Sequence, residues 1–249
     1  MKARAQLRVA GERCDVLRSD PPLTFRETPA GLHWIGSAAG PIGGDDLALD
    51  VELEDAAALV LSSVAASMAH PGPSGEPSSF RLTARVGEGA ELRWQPRPAV
   101  LVRGCDHRVS AELDLAAGAR LVWREEVVLG RHDETSGSLR QRLVVDRAGW
   151  PLLRTELAVG PRWPGSLGPA GVDGARAVGS LLLVGLAIAP AVTPPDVRLA
   201  VQTLDASAVL VTALGARASA VGAALDALVP ARRVAASERQ TVRRMMASP

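Results

Sequence analysis

Two adjacent carboxylates, Glu125 and Glu126, stand in the largely apolar run Leu121-Val122-Trp123-Arg124-Glu125-Glu126-Val127-Val128-Leu129. In a regular strand, neighbouring side chains point to opposite faces. One of the two is therefore expected to point inward or into a channel, where a carboxylate needs a hydrogen-bonding partner or water. A second acidic pair, Asp45-Asp46, closes the segment Gly40-Pro41-Ile42-Gly43-Gly44. Its three glycines suit a tight turn, because glycine accepts positive φ and close backbone approach. Asp45 there reads as a turn cap. Cys105 and His107 are spaced i, i+2 and would share a strand face. That is either a soft-metal site or a buried cysteine beside an ordinary histidine. Gly130-Arg131-His132-Asp133-Glu134 reads as a charged hairpin turn or as an edge facing a partner or metal.

Other chemistry is absent from the sequence. No two of His33, His70, His107 and His132 have helical metal-ligand spacing, and there is no His-Glu-x-x-His. Cys14 and Cys105 make neither a Cys-x-x-Cys pair nor a disulfide framework, so the chain is expected to be reduced and cytoplasmic. There is no phosphate-binding glycine loop and no Gly-x-Ser-x-Gly elbow, and Gly87-Glu88-Gly89 reads as a hairpin turn. The 28 basic residues balance 27 acidic ones for a net charge of +1, which argues against general nucleic-acid binding, since that needs a concentrated basic surface. Lys2 is the only lysine, and the arginine and alanine bias reads as genome composition. The N-terminus has no apolar signal core. The longest apolar stretch, residues 178–192, is about 15 residues and is broken by Gly179, Gly185 and Pro190. That is too short for a membrane span and is read as buried strand.

The elements that must position these groups are strands. The chain is 47% hydrophobic over 249 residues, enough for one sizeable core. Residues 1–40 read as short strands, with Leu7-Arg8-Val9 alternating and Asp20-Pro21-Pro22 a break. Then a strand-turn-strand unit recurs. Leu49-Asp50-Val51-Glu52-Leu53 turns at Glu54-Asp55 into Ala57-Ala58-Leu59-Val60-Leu61. Leu82-Thr83-Ala84-Arg85-Val86 turns into Ala90-Glu91-Leu92-Arg93-Trp94, and Ala111-Glu112-Leu113-Asp114-Leu115 into Ala119-Arg120-Leu121-Val122-Trp123. Leu59, Leu92 and Leu121 are equivalent and about 30 residues apart. A lone hairpin cannot bury its apolar face, but stacked copies can. The expected fold is therefore mainly β: stacked, β-helix-like sheets from repeated hairpins through residues 45–160.

A further pair, Leu139 to Val145 and Trp150 to Val159, continues the stack. Loops are expected at residues 70–77 and 160–174, with one domain over 1–249. A small helical part is expected over 216–249. Val221, Ala224, Leu225, Leu228 and Val229 form an apolar stripe that Pro230 ends, and a weaker stripe of Val242, Met245 and Met246 lies in the arginine-rich tail.

The order of these pieces resembles the urease accessory protein family UreD, also called UreH. Its Gly-Gly-x-Gly-Asp-like turn is matched by Gly43-Gly44-Asp45-Asp46-Leu47. Its Thr-Thr-Gln-Ala-Ala-Thr-Lys-like stretch is matched by Ser62-Ser63-Val64-Ala65-Ala66-Ser67-Met68, with Val64 and Met68 replacing the polar Gln and Lys. A Gly-Ala-x-Leu-x-x-x-Pro-x-Pro element is matched by residues 89–98, and a strand ending Glu-x-x-x-x-Gly-Arg by Glu125-Glu126-Val127-Val128-Leu129-Gly130-Arg131. The resemblance implies a β-helix-like stack with C-terminal helices and a non-enzymatic scaffold for nickel insertion. The implied partners are UreF, the GTPase UreG and apo-urease, with neither nucleic acid nor membrane among them. It also implies a nickel conduit, with transient nickel and no tightly bound cofactor. Asp45 or Asp46 and Glu125 or Glu126 would line or gate that path. Carboxylates suit weak, reversible holding of a divalent ion, whereas nickel favours imidazole for tight holding. The competing readings are an enzyme or ligand-binding protein on a β-sandwich or jelly-roll fold, favoured if His107, His132 and Glu125 meet, and a β-solenoid with no metal role.

Overall fold

The computed structural model describes residues 1–11, 13–28 and 31–231. The chain opens with β1 (Lys2–Ala10), β2 (Arg13–Arg18), β3 (Leu23–Thr28) and β4 (Gly31–Gly36). The first repeat unit is β5 (Asp46–Leu53) and β6 (Ala58–Ser63), followed by the short β7 (Ser67–Ala69). The second is β8 (Ser78–Val86) and β9 (Glu91–Gln95), followed by β10 (Ala99–Leu101), and the third is β11 (Asp106–Leu115) and β12 (Arg120–Leu129). The units stack in the predicted register. Leu59 pairs with Leu92 and Leu92 with Leu121 along β6, β9 and β12, all parallel.

The units are corners rather than the expected hairpins. First arms β5, β8 and β11 lie side by side in one sheet, second arms β6, β9 and β12 in another, and no unit's two arms pair with each other. The cause lies in the four-residue turns, each of which buries an alanine: Ala57, Ala90 and Ala119 are 0–1% exposed. Each corner hydrogen-bonds to the next. Glu91 N–H donates to the Ala57 carbonyl and Arg120 N–H to that of Ala90, both at 2.8 Å. By contrast, β13 (Ser138–Arg147) and β14 (Trp150–Val159) make a true antiparallel hairpin. Their two-residue loop, Ala148-Gly149, has positive φ at both positions, the twist that brings paired strands together.

The first-arm sheet runs β14-β13-β11-β8-β5-β1-β2. The second is completed by β15 (Ala177–Val184), β16 (Val197–Asp205) and β17 (Ala208–Gly215), in the order β16-β17-β15-β12-β9-β6-β4-β3. Alternate residues of both sheets face each other across the main core, including Leu7, Leu49, Leu82, Leu61, Leu92 and Leu121. On the inner face of the second sheet, Trp34, Trp94 and Trp123 stack at 6.2 and 5.3 Å between ring centroids, with Phe80 on Trp34 at 5.2 Å. Such pairs add about 0.5–1.5 kcal/mol each beyond the burial of their area.

The helix α1 (Ala218–Leu228) covers the outer face of the second sheet with Val221, Ala224, Leu225 and Leu228, as the stripe predicts. Gly179 lets it approach, since a Cβ there would lie 2.7 Å from Leu225 and 2.8 Å from Val221. The helix stops at Leu228, because Val229, preceding Pro230, is extended. The rest of the expected helical part, with its Val242, Met245 and Met246 stripe, lies outside the described residues. The apolar stretch 178–192 is only half strand: β15 ends at Val184, positive φ at Gly185 turns the chain, and Val192 is 92% exposed. Loops occupy residues 70–77 and 160–174 as expected.

Candidate functional site

Alternation along β12 decides the fate of the acidic pair. Leu121, Trp123, Glu125, Val127 and Leu129 face the space between the sheets, while Val122, Arg124 and Glu126 face the helix. Glu125 is therefore the inward carboxylate. It lines two cavities, each partly open to solvent. One is about 90 Å³ and is walled by the tryptophan stack, Phe80 and His107. The other is about 220 Å³ and is walled by Gln141, Thr155, Glu156, Ser180 and Thr212. Volumes of this size, with polar groups in the wall, admit several waters at the roughly 10–15 Å³ that each needs.

Glu125 keeps partial exposure through the cavities it lines, but desolvation among the packed sheets still pushes its carboxyl up to about 7. The Gln141 amide and the Trp123 indole offset part of that cost, although the indole N–H sits outside hydrogen-bonding geometry. His107, across the same cavity, is pushed the opposite way, down to about 4, by burial. It is 5% exposed, and its Nδ1 lies 2.9 Å from Ser78 Oγ.

Glu126 also borders the smaller cavity, but its carboxylate is held from the helix side. Arg124 Nε donates to it at 2.7 Å, and the same guanidinium reaches Asp226 and, at 3.3 Å, the Gly222 carbonyl of α1. Burial raises the Glu126 carboxyl and Arg124 opposes the rise. Asp45, 5% exposed, accepts from the Ile42 N–H at 2.8 Å and from the Met1 amino group at 2.6 Å. The turn-cap reading of Asp45 is thus realised. Asp46 lies on the outer face of β5 between Arg4 (3.0 Å), Arg81 (2.9 Å) and Ser79 (2.9 Å). Arg4 first, then Ser79, hold its carboxyl below the usual range. Neither aspartate lines the two cavities that Glu125 lines.

Cys105 is buried against Gly137, and burial raises its thiol to about 11, so it is an inert packing group. His132 sits exposed in the turn at residues 130–134, beside Asp133, and is not part of the cavity wall that His107 and Glu125 share. Within that turn Arg131 and Glu134 pair at 2.8 Å, which agrees with its reading as a charged turn. Among the described residues, no three His, Cys, Asp or Glu side chains gather closely enough to hold a metal ion. No helix among them is long and apolar enough to cross a membrane. Gln141 was missed at the sequence level. Its signal was there: it alternates with Leu139 and Leu143, a polar residue on an apolar face.

Fold and site together define a class: a two-sheet β-coil that keeps one carboxylate inside and clamps its neighbour under a helix. The chain belongs to the UreD urease accessory protein family, whose family model matches residues 2–247. It is similar to urease accessory protein UreD of Parafrankia sp., at 40% identity over 92% of this chain and 88% of the relative. It is also similar to urease accessory protein UreD 3 of Streptomyces griseus, at 40% identity over 91% and 95%. A UreD of Frankia alni is 46% identical over 68% of this chain and 61% of that relative. An accessory role in urease maturation follows from this membership.

Proposed function

We propose that this chain is a non-enzymatic scaffold for nickel insertion into apo-urease, acting in the cytoplasm with UreF and UreG, and that nickel moves through its interior. The observation carrying this reading is Glu125, one carboxylate shared by the walls of two adjoining cavities. A single oxygen donor with water around it holds a divalent ion weakly, which suits handing on rather than storing. In this reading Glu125 touches the path in both cavities and Glu126 borders it in the smaller one while holding the helix, and Asp45 and Asp46 fix the turn and the outer face that frame it. Partner binding is tested by co-expression with UreF, which should yield a soluble, co-purifying complex. No association under any condition would remove the scaffold role. The path is tested by Glu125→Ala, which should lower urease activation while the chain stays folded by circular dichroism. Full activation in that variant would discard the relay.

A further inference from the structure

The smaller of the two Glu125 cavities shares Trp34, Pro41, Leu47, Ser67, Pro96 and Arg97 with a surface cavity of about 330 Å³. The strand β7 and the residue after it border that outer cavity. Period-2 alternation puts Met68 and His70 on one face there, with buried Ala69 (1% exposed) on the other. Both side chains line the mouth. Met68 is 44% exposed. His70 is half-buried and pinned through its backbone, its N–H donating to the Pro41 carbonyl at 2.8 Å and its carbonyl accepting from Gly43 at 3.0 Å. Among the described residues its imidazole has no hydrogen-bond partner, unlike a histidine held for structure. His33 and His107, by contrast, are each tied to a serine.

We propose that Met68 and His70 form a divalent-cation site at this mouth, the first ligands an ion meets before Glu125. The inference rests on the interior-passage reading above. Imidazole suits nickel and related first-row metals, and a neighbouring thioether adds a soft donor that magnesium and calcium do not favour. Two protein ligands, with water completing the shell, hold an ion briefly at an open position. The Arg97 side chain lines the same wall and opposes a cation there, so the two ligands hold it only weakly; Glu126 feels the same charge from the protein side. Ser67, in both walls, stands between the mouth and the interior.

The test uses the full-length chain and nickel sulfate alone, followed by equilibrium dialysis and by tryptophan fluorescence, since Trp34 lines the mouth. His70→Gln should weaken nickel binding by at least about tenfold, because even the indirect partners of a metal ligand cost that much. Met68→Leu should weaken it by a smaller factor, and magnesium should not compete. In the unaltered chain, zinc titration should shift the His70 imidazole resonances, a readout independent of how any variant folds. Unchanged nickel affinity in a folded His70→Gln chain, or a His70 ring that saturating zinc leaves unmoved, overturns the site. Glu125→Gln separates the two readings. It should keep the nickel bound at the mouth yet lower urease activation. Normal activation in Glu125→Gln would end the passage and, with it, the role of His70 as its entrance. Unchanged binding in His70→Gln would end the mouth site alone.

Discussion

Glu125 and His107 face one cavity, and burial moves them in opposite directions, to about 7 and about 4. Their consequences for stability also oppose. Glu125 binds its proton more tightly in the folded chain, so it costs nothing below its unfolded value near 4.5 and destabilises progressively as pH rises to about 7. His107 binds its proton less tightly when folded, so it costs nothing above 6.5 and destabilises progressively as pH falls to about 4. Each shift corresponds to a few kcal/mol, on the order of 3. Over the shared window the slopes offset one another, and each single variant should unmask the other. Glu125→Gln should gain stability relative to the parent as pH rises from 4.5 to 7, leaving a rising curve. His107→Gln should leave a falling one. Urea unfolding at pH 5, 6, 7 and 8 reads both, and parallel curves for all three chains would show that the two groups are not buried as described.

At the scale of elements, α1 is fastened by the Arg124, Glu126 and Asp226 group as well as by its apolar face. Arg124→Ala leaves the Glu126 carboxylate buried without its partner and should cost roughly 3–5 kcal/mol. Replacing both by apolar residues, Arg124→Met with Glu126→Leu, should recover most of that loss, as removing a buried pair together often does. A double variant as unstable as the single one in thermal melts would mean that the network stabilises in its own right. The element level is also where the sequence was most readable, and where it stopped. Alternation in Leu49-Asp50-Val51-Glu52-Leu53 and its two copies set strand, face and repeat correctly, because period 2 depends only on the chain itself. It could not tell a corner from a hairpin, because both look the same until partner strands are chosen. The inward turn of one glutamate was legible for the same reason. The partners of Asp46 were not, since Arg4 and Arg81 reach it only through parallel pairing of β1 and β8 with β5. His70 stayed mute because the cavity it borders is made by Trp34, Leu47 and Pro96, brought together from three separate stretches of chain.

For the molecule as a whole, parallel stacking means that pairing partners such as Leu49 and Leu82 lie one full unit apart in sequence. Loop closure must then precede most of the stabilising contacts. Refolding from urea should accordingly take milliseconds to seconds rather than microseconds. Stopped-flow fluorescence of the stacked tryptophans would record this, and completion within the mixing time would contradict it. The corner geometry also has a consequence for growth. Successive units meet through the same register, Ala57 to Glu91 and Ala90 to Arg120. One more duplicated unit of about 30 residues, carrying its own copy of β10, fits between β10 and β11 through the same register, as in other stacked-repeat chains. It would move Glu125 away from the mouth by one strand spacing, about 4.8 Å. The depth of the carboxylate in this architecture is thus counted in whole rungs, and lineages can lengthen or shorten it only in steps.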